Sequence, residues 1–515
     1  MNSAAPTLSQ HYLRSRIGKV CVAIIGSTAD EMIDRATEAM RDSPFLEFRL
    51  DYLEKPAAAL PKLQEFLAEN SMVTAIATCR RAGNGGQFKG TIAAELDVLQ
   101  KATASGFHLI DLELQTVEAI KASELEKVRT RGIALIVSWH DFQTTKDPDG
   151  IFERIRPYEP EFIKIVCTAK SLADNVVMMR FLERSADMAN MIGLCMGDQG
   201  VISRVLAVRA GSVFTFASAT QGEETAPGQI DARTLTELYR VGQIDSATRV
   251  YGVVGNPIKH SLSPLMLNTA FHRETVNAVY LALQTDKLSD LLTVVRELPL
   301  SGLSVTMPLK QEVLKHLENM DPVSSQVGAC NTIVRAHDGK LYGFNTDVGG
   351  ILRPLEKRLT LAGAKVLVLG AGGAARAAAF GLVSKGAEVS ILNRTPQTAQ
   401  KLAREAKAKS IRREQVAKTT FDVIVNATSV GMHGAKSQHI LEPKEINARF
   451  VFDLVYNPVE TPLLRMARQK GIAVITGVEM FVQQGARQFE IWTGKRAPEE
   501  EMLRVVVHAL RQQQG

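Results

Sequence analysis

The chain has 515 residues, a formal net charge of +6, 45% hydrophobic residues and 23% charged ones. That composition describes a folded protein with ample core, roughly three domains at about 150 residues each. The slight positive excess forms no basic run, which argues against nucleic acid, and no apolar stretch reaches the ~18 residues of a membrane span.

The first ten residues read as a short polar tail without a signal-peptide core. Cys21, Cys79, Cys167, Cys195 and Cys330 never form a CxxC pair, and four of them sit in or beside apolar strand-like runs. Buried thiols in a reducing, cytoplasmic setting are therefore expected. No cluster has metal-ligand spacing, so no metal is expected.

From residue 18 to 240, short apolar runs alternate with helical patterns. Strands are expected near 19–25, 46–50, 73–78, 107–112, 133–138, 162–167, 191–195 and 213–216, with amphipathic helices between them, such as 92–104 and 172–184. Such alternation is the signature of a parallel sheet, and eight units point to a closed (β/α)8 barrel, with an open doubly wound sheet as the alternative. In a barrel, chemistry gathers at the carboxyl ends of the strands. There the chain places Glu47, Arg49, Asp51, Arg80, Asp111, Glu113, His140, Asp141 and Lys164. Lys164, inside an apolar strand, is the most informative, because lysine is seldom buried without a partner or a task. Desolvation favours its neutral, nucleophilic amine. A structural ion pair with Glu47 or Glu113 is the competing explanation. His140 ends the preceding strand and is suited to moving protons near neutral pH.

Residues 243–249 read as a polar linker, which sets the expected domains at 1–243, 250–350 with the C-terminal helices from about 481 to 515, and 351–480. A strand from Val250 runs into a turn where Ser263 is expected to cap a helix that opens at Pro264. Lys310, closing SVTMPLK, and Asp347, closing NTD, end two further apolar runs. Reduction of a ketone needs such a proton source where alkoxide character develops. Val366–Leu369 then leads into Gly370-Ala371-Gly372-Gly373-Ala374-Ala375 and an alanine-rich helix. Strand, glycine turn and helix N-terminus form a pyrophosphate cradle, with Ala375 where a third glycine often packs helix on strand. A second strand ends in Asn393-Arg394-Thr395, and arginine there suits a 2′-phosphate, so the expected cofactor is NADP.

These motifs carry two resemblances. EFRLDYL, SWHDF, IKIV, GVISR and APGQ resemble type I 3-dehydroquinate dehydratase over residues 18–240. The resemblance implies that Lys164 forms a Schiff base with 3-dehydroquinate, that His140 is general base and acid, and that Glu47, Arg49, Arg80, Arg204, Thr225 and Gln229 hold the substrate. The chain departs from that family at Asn84, where a glutamate near the histidine is usual, which predicts a lower pKa for His140 and slower turnover. NPIKHSLSP, SVTMPLK, ACNT, NTD, GAGGAARA, NRT, NATSVGM and EMFVQQGA are similar to shikimate dehydrogenase over about 250–512. That similarity implies a catalytic pair Lys310–Asp347. It implies substrate contacts from Ser261, Ser263, Thr306, Asn331, Tyr456 and Gln484. On the cofactor side it implies Gly370 to Ala374, Asn393, Arg394, Thr395, Thr428, Ser429, Met432 and Gly477. A second arginine common after NRT is Thr398 here.

Together the two resemblances imply an α/β chain that dehydrates 3-dehydroquinate to 3-dehydroshikimate and reduces that product to shikimate. Its partners would be these small molecules, not nucleic acid or membrane. The alternative is a broad-range quinate/shikimate dehydrogenase with a weakly active or inactive barrel. The last helix, from Met480, is expected to pack back on the substrate lobe.

Overall fold

The computed structural model describes residues 16–129, 132–432 and 440–513. The chain divides into two compact units at Thr248/Arg249, with the short segment Asp290–Leu298 grouped with the first. Among the described residues, no helix is long and apolar enough to cross a membrane.

The first unit is an eight-stranded parallel sheet: β1 (Val20–Ile24), β2 (Phe45–Arg49), β3 (Thr74–Thr78), β4 (Leu109–Glu113), β5 (Ala134–His140), β6 (Phe162–Thr168), β7 (Met191–Met196) and β8 (Thr215–Ser218). From β1 to β7 each strand pairs with the next, and β8 returns beside β1. The sheet closes as expected, with one irregularity. No strand ladder joins β7 to β8 among the described residues. Instead the Val213 N–H donates to Met191 O at 2.8 Å, and the Gly193 N–H donates to Ser212 Oγ at 3.2 Å. A serine hydroxyl thus replaces a carbonyl at the last seam.

Side chains alternate across a strand, and this parity builds the barrel interior. Phe45, Leu109, Ala134 and Phe162 belong to the apolar core within the barrel. Two residues further along their strands come Glu47, Asp111, Ile136 and Lys164, and two further still Arg49, Glu113, Ser138 and Val166. The positions between are apolar and also buried, such as Leu46, Phe48, Ile110, Leu112, Ile163 and Ile165. Both faces of each strand are covered, as in any parallel sheet wrapped by helices.

The second unit holds two sheets. One comprises β9 (Arg249–Gly255), β10 (Ala278–Gln284), β11 (Leu300–Val305), β12 (Asn319–Met320), β13 (Thr332–Arg335) and β14 (Leu341–Phe344), in the order β10-β9-β11-β13-β14-β12. It is mixed, because β13 runs antiparallel to both β11 and β14. The other comprises β15 (Lys365–Leu369), β16 (Glu388–Leu392), β17 (Lys409–Ser410), β18 (Phe421–Asn426), β19 (Ala448–Asp453) and β20 (Ala473–Ile475), all parallel. Its order, β17-β16-β15-β18-β19-β20, is the 3-2-1-4-5-6 arrangement of doubly wound dinucleotide-binding folds. The helix expected from Met480 begins three residues earlier, at Gly477, and it is not the last, because Glu499–Gln512 forms another after it. Phe481, Phe489 and Trp492 of the helix from Gly477 are buried in the cluster of Tyr251 and Phe271 on the first of these sheets, with Tyr251 and Trp492 rings 5.0 Å apart. Each such aromatic contributes about 1.5–3 kcal/mol of burial.

Two local expectations need correction. Ser263 is the first helical residue rather than the cap, a position held by Leu262. Ser261 does the polar work instead: its Oγ accepts from the Ser263 N–H at 3.3 Å. Pro264 is then the second helical residue, still in the first turn, where its missing N–H costs no intrahelical bond.

Candidate functional site

At the carboxyl end of the barrel strands, a pocket with about 480 Å³ of empty space, open mouth included, is lined by Glu47, Arg49, Arg80, His140, Lys164, Arg204, Thr225 and Gln229. Every barrel residue named from the sequence as catalytic or substrate-holding is therefore brought together. Lys164 is 3% exposed. Its ammonium sits 2.9 Å from Asp111 and 3.6 Å from Glu47, over the Phe216 ring. The expected ion pair with Glu47 is present but long; the nearer partner is Asp111, which shares the inward layer of Lys164, while Glu113, the other expected glutamate, turns to His140. Lys164 and Arg80 hold the Asp111 carboxyl well below the usual carboxylate range, against the effect of burial.

Glu113 has a different task. Both its oxygens lie against His140 Nδ1, at 3.1 and 3.0 Å, and it also accepts from the His140 N–H and the Ser138 hydroxyl. The carboxylate expected to be missing at Asn84 is thus supplied by β4. Asn84 Nδ2 has no hydrogen-bond partner. The imidazole pKa is lowered, as expected, but for another reason: burial first, then Arg80, with Glu113 opposing both. The ring also stacks on Phe142, and the chain passes so closely at Gly85 that a side chain there would strike Phe142.

Asp51 and Arg204 complete the wall. Asp51 forks onto Arg49 with two 2.9 Å bonds and accepts the Gln87 N–H, which ties the loop after β3 to β2. Arg204 is 1% exposed and has no ion-pair partner among the described residues. Its Nη2 donates to Pro227 O at 3.1 Å, its Nε is unpaired, and burial pushes it down to about 10. A buried cation without a counter-charge is costly and suits an anionic ligand. Thr225 and Gln229 bond to each other at the rim.

In the second unit, Lys310 Nζ meets Asp347 Oδ2 at 2.5 Å, and the other Asp347 oxygen accepts from Asn331 Nδ2 at 2.7 Å. Asp347 opens a helix; Lys310 follows β11, and its carbonyl accepts the Cys330 N–H. Thr306 precedes Lys310 at the same strand end, and Tyr456 stacks on Phe481 at 4.2 Å beside Ser261. Gln484 lies against Gly350 with its amide turned to Phe481 O. The residue of this helix that bonds to Asn331 and Thr332 is Gln488, one turn later, which no motif marks. Its amide donates to Asn331 O and Thr332 Oγ1, and it accepts from Ser304. Its spacing of four from Gln484 places both on one helix face, which was the available signal.

The glycine turn lies beside this centre. Gly370 has φ +110°, open to glycine far more than to other residues, and a Cβ there would lie 3.0 Å from Thr428. A Cβ on Gly373 would sit 3.1 Å from the Lys310 side chain, while one on Gly372 would meet nothing within 4 Å. The helix Gly373–Ser384 therefore offers its N-terminus to open space next to Lys310. Ala375 is fully buried against the sheet, as expected. Asn393 and exposed Arg394 follow β16; Asn393 bonds Thr395 O. Thr428 is held by Asn426, which in turn donates to the buried Asp453, with Ser429 exposed and Met432 half-buried beyond. Gly477 passes tightly by Val455 O. Open space at a positive helix end, under a glycine turn and beside an exposed arginine, fits a dinucleotide phosphate chain.

A parallel barrel with a buried lysine, joined to a two-sheet unit with a dinucleotide turn, defines a two-site enzyme. Residues 20–246 match type I 3-dehydroquinase, 253–333 the shikimate dehydrogenase substrate binding domain, 354–463 shikimate/quinate 5-dehydrogenase and 477–507 the shikimate 5′-dehydrogenase C-terminal domain. The chloroplastic bifunctional 3-dehydroquinate dehydratase/shikimate dehydrogenase of Arabidopsis thaliana is 34% identical over 97% of this chain and 86% of its own length. The shikimate dehydrogenase (NADP(+)) of Pyrococcus furiosus is 41% identical over 52% of this chain and 99% of its own. The solved shikimate 5-dehydrogenase of Thermus thermophilus, in complex with NADP(H) and shikimate, is 37% identical over 51% of this chain and 99% of its own, with a TM-score of 0.47. The chain belongs to the family of bifunctional 3-dehydroquinate dehydratase/shikimate dehydrogenases.

Proposed function

We propose that the barrel dehydrates 3-dehydroquinate and that the second unit reduces the resulting 3-dehydroshikimate to shikimate with NADPH, in a cytoplasmic setting. The domain division that goes with this reading is 1–243 for dehydration, 250–350 with about 481–515 for the second substrate, and 351–480 for the cofactor. The observation that carries it is Lys164 and the uncompensated Arg204 in one buried pocket with the His140–Glu113 pair.

In the barrel, Arg204 receives the substrate carboxylate, a charge-assisted contact of the strong kind. Lys164 passes a proton to its surroundings, and its amine attacks the C3 ketone; loss of water leaves an iminium. The iminium acidifies the C2–H. His140, neutral because burial and Arg80 lower its pKa, takes that proton. It then protonates the departing C1 hydroxyl, and water releases Lys164. Glu113 holds the ring through Nδ1, so Nε2 is left to work. Such a charge-paired, histidine-bearing pocket counts against an inactive barrel.

In the second unit, Gly370 to Ala374, Asn393, Arg394, Thr395, Thr428, Ser429, Met432 and Gly477 would hold NADP. The chemistry supplied by bound NADPH is a hydride to the ketone carbon. Lys310 gives the proton to the ketone oxygen, and Asp347 holds that ammonium in place. Ser261, Ser263, Thr306, Asn331, Tyr456 and Gln484 surround the hydroxyls and carboxylate of the substrate.

The test is to give the full chain 3-dehydroquinate with NADPH and identify products. One NADPH oxidised per shikimate formed is expected, with 3-dehydroshikimate accumulating when NADPH is withheld. Absence of 3-dehydroshikimate under that condition would contradict the barrel assignment, and faster oxidation of quinate than of shikimate would contradict the substrate assigned to the second unit.

A further inference from the structure

The cofactor edge carries a cation that no motif marks. Parallel pairing of β16 with β17 aligns Ser390 with Lys409 and Ile391 with Ser410. The ladder continues past the strand end, because the Ile411 N–H donates to Ile391 O at 3.1 Å. The Arg412 backbone is therefore level with that of Asn393, one strand spacing of about 4.8 Å away, and Arg394 is the next residue along the chain from Asn393. Ile411 and Leu392 share one apolar cluster, which confirms that aligned positions face the same way.

Which arginine is available follows from the ion pairs. Arg413 is forked onto Glu445 at 2.8 and 2.7 Å. Arg412 is exposed and has no ion-pair partner among the described residues. Thr398, in the first turn of helix Pro396–Ala406, is exposed and uncharged. We propose that Arg412, reaching over from the neighbouring strand, is the second cation for the cofactor 2′-phosphate, paired with Arg394. This inference rests on the NADP reading above. The guanidinium suits a phosphate in that position because it presents several donors in one plane. A lysine or arginine three residues beyond the NRT motif is then unnecessary, since the charge comes from the adjacent strand.

The experiment compares the full chain with its Arg412→Gln variant, measuring kcat/KM for NADPH and for NADH, and inhibition by adenosine 2′,5′-bisphosphate. Loss of one charge-assisted phosphate contact should lower the NADPH-to-NADH ratio about tenfold and weaken that inhibition by the same factor. Denaturant unfolding of the same preparation, compared with the unsubstituted chain, reports that the second unit has folded. Adding Thr398→Arg to Arg412→Gln should return most of the ratio, because the new guanidinium faces the same phosphate. An unchanged ratio in a protein that prefers NADPH would overturn the inference, as would equal losses for both cofactors, the mark of a structural role. A wild-type chain without preference for NADPH would overturn the cofactor reading, and this inference with it.

Discussion

In the barrel, Glu47, Arg49, Arg80, Asp111, Glu113, Lys164 and Arg204 are each no more than 7% exposed, all on the inward side of strands or at their ends except Arg204, which a short helix after β7 supplies. In the second unit, the proposed pair is less enclosed: the Lys310 side chain is 16% exposed and that of Asp347 4%. Around it stand neutral amides and hydroxyls, among them Asn331, Thr332, Ser304 and Gln488. The difference follows from the chemistry assigned to each. An amine nucleophile needs a site away from water, and the charges that tune it must then neutralise one another. A hydride transfer needs one proton donor close to a cradle for the cofactor, which Gly373 provides by passing against the Lys310 shaft. Stability and catalysis are therefore entangled in the barrel and separable in the second unit.

The sharpest way to break this comparison is to remove the two lysines. Lys164→Ala should lower dehydratase turnover by a factor on the order of 10⁴ or more and leave reduction of 3-dehydroshikimate unchanged. Lys310→Met should lower that reduction by about 10²–10⁴ with the dehydratase rate intact; separate assays on each variant check both. Next come the acids. Asp111→Ala leaves Lys164 with only the more distant Glu47, and should destabilise the barrel by about 3–5 kcal/mol. Asp347→Asn, beside the less enclosed Lys310, should cost only about 1–2 kcal/mol. Denaturant unfolding followed on each variant decides whether the contrast holds.

A smaller effect concerns pH. Dehydratase kcat/KM needs the neutral imidazole in the free enzyme, so its acid limb reports His140. Burial and Arg80 lower that pKa, which places the limb below the usual ~6.5. Glu113 is the group that raises it, so Glu113→Gln should move the limb to still lower pH. Asn84→Glu, which adds a carboxylate at the position the family usually fills, should move it upward by less than one pH unit. Limbs that coincide in all three proteins would show that His140 does not titrate in the rate.

Much of this was legible in the sequence because of strand parity. Lys164 stands two residues from Phe162 and two from Val166, so an apolar strand covered on both faces carried a charge that had to point inward. The same rule placed Glu47, Arg49 and Arg80. It located Asp111 and Glu113 at strand ends but not their partners, since partnership depends on the stagger between neighbouring strands, which parity within one strand does not contain. For that reason parity alone leaves Glu113 as a partner for Lys164, although it binds His140, and leaves Asn84 without the compensation that Glu113 supplies. In the second unit, NRT and the glycine turn were readable as local geometry. Arg412 was not, because only the pairing of β17 with β16 brings it there. Gln488 shared a helix face with Gln484, yet which of the two reached Asn331 depended on how the helix from Gly477 lay against the sheet.

The most direct test of the account is borohydride reduction of the full chain with 3-dehydroquinate, followed by intact mass and peptide mapping. A stable adduct is predicted on the peptide carrying Lys164, lost in Lys164→Ala and retained in Lys310→Met. No adduct on Lys164, in a preparation that still reduces 3-dehydroshikimate with NADPH, would contradict the Schiff-base barrel and leave the second unit as the working half.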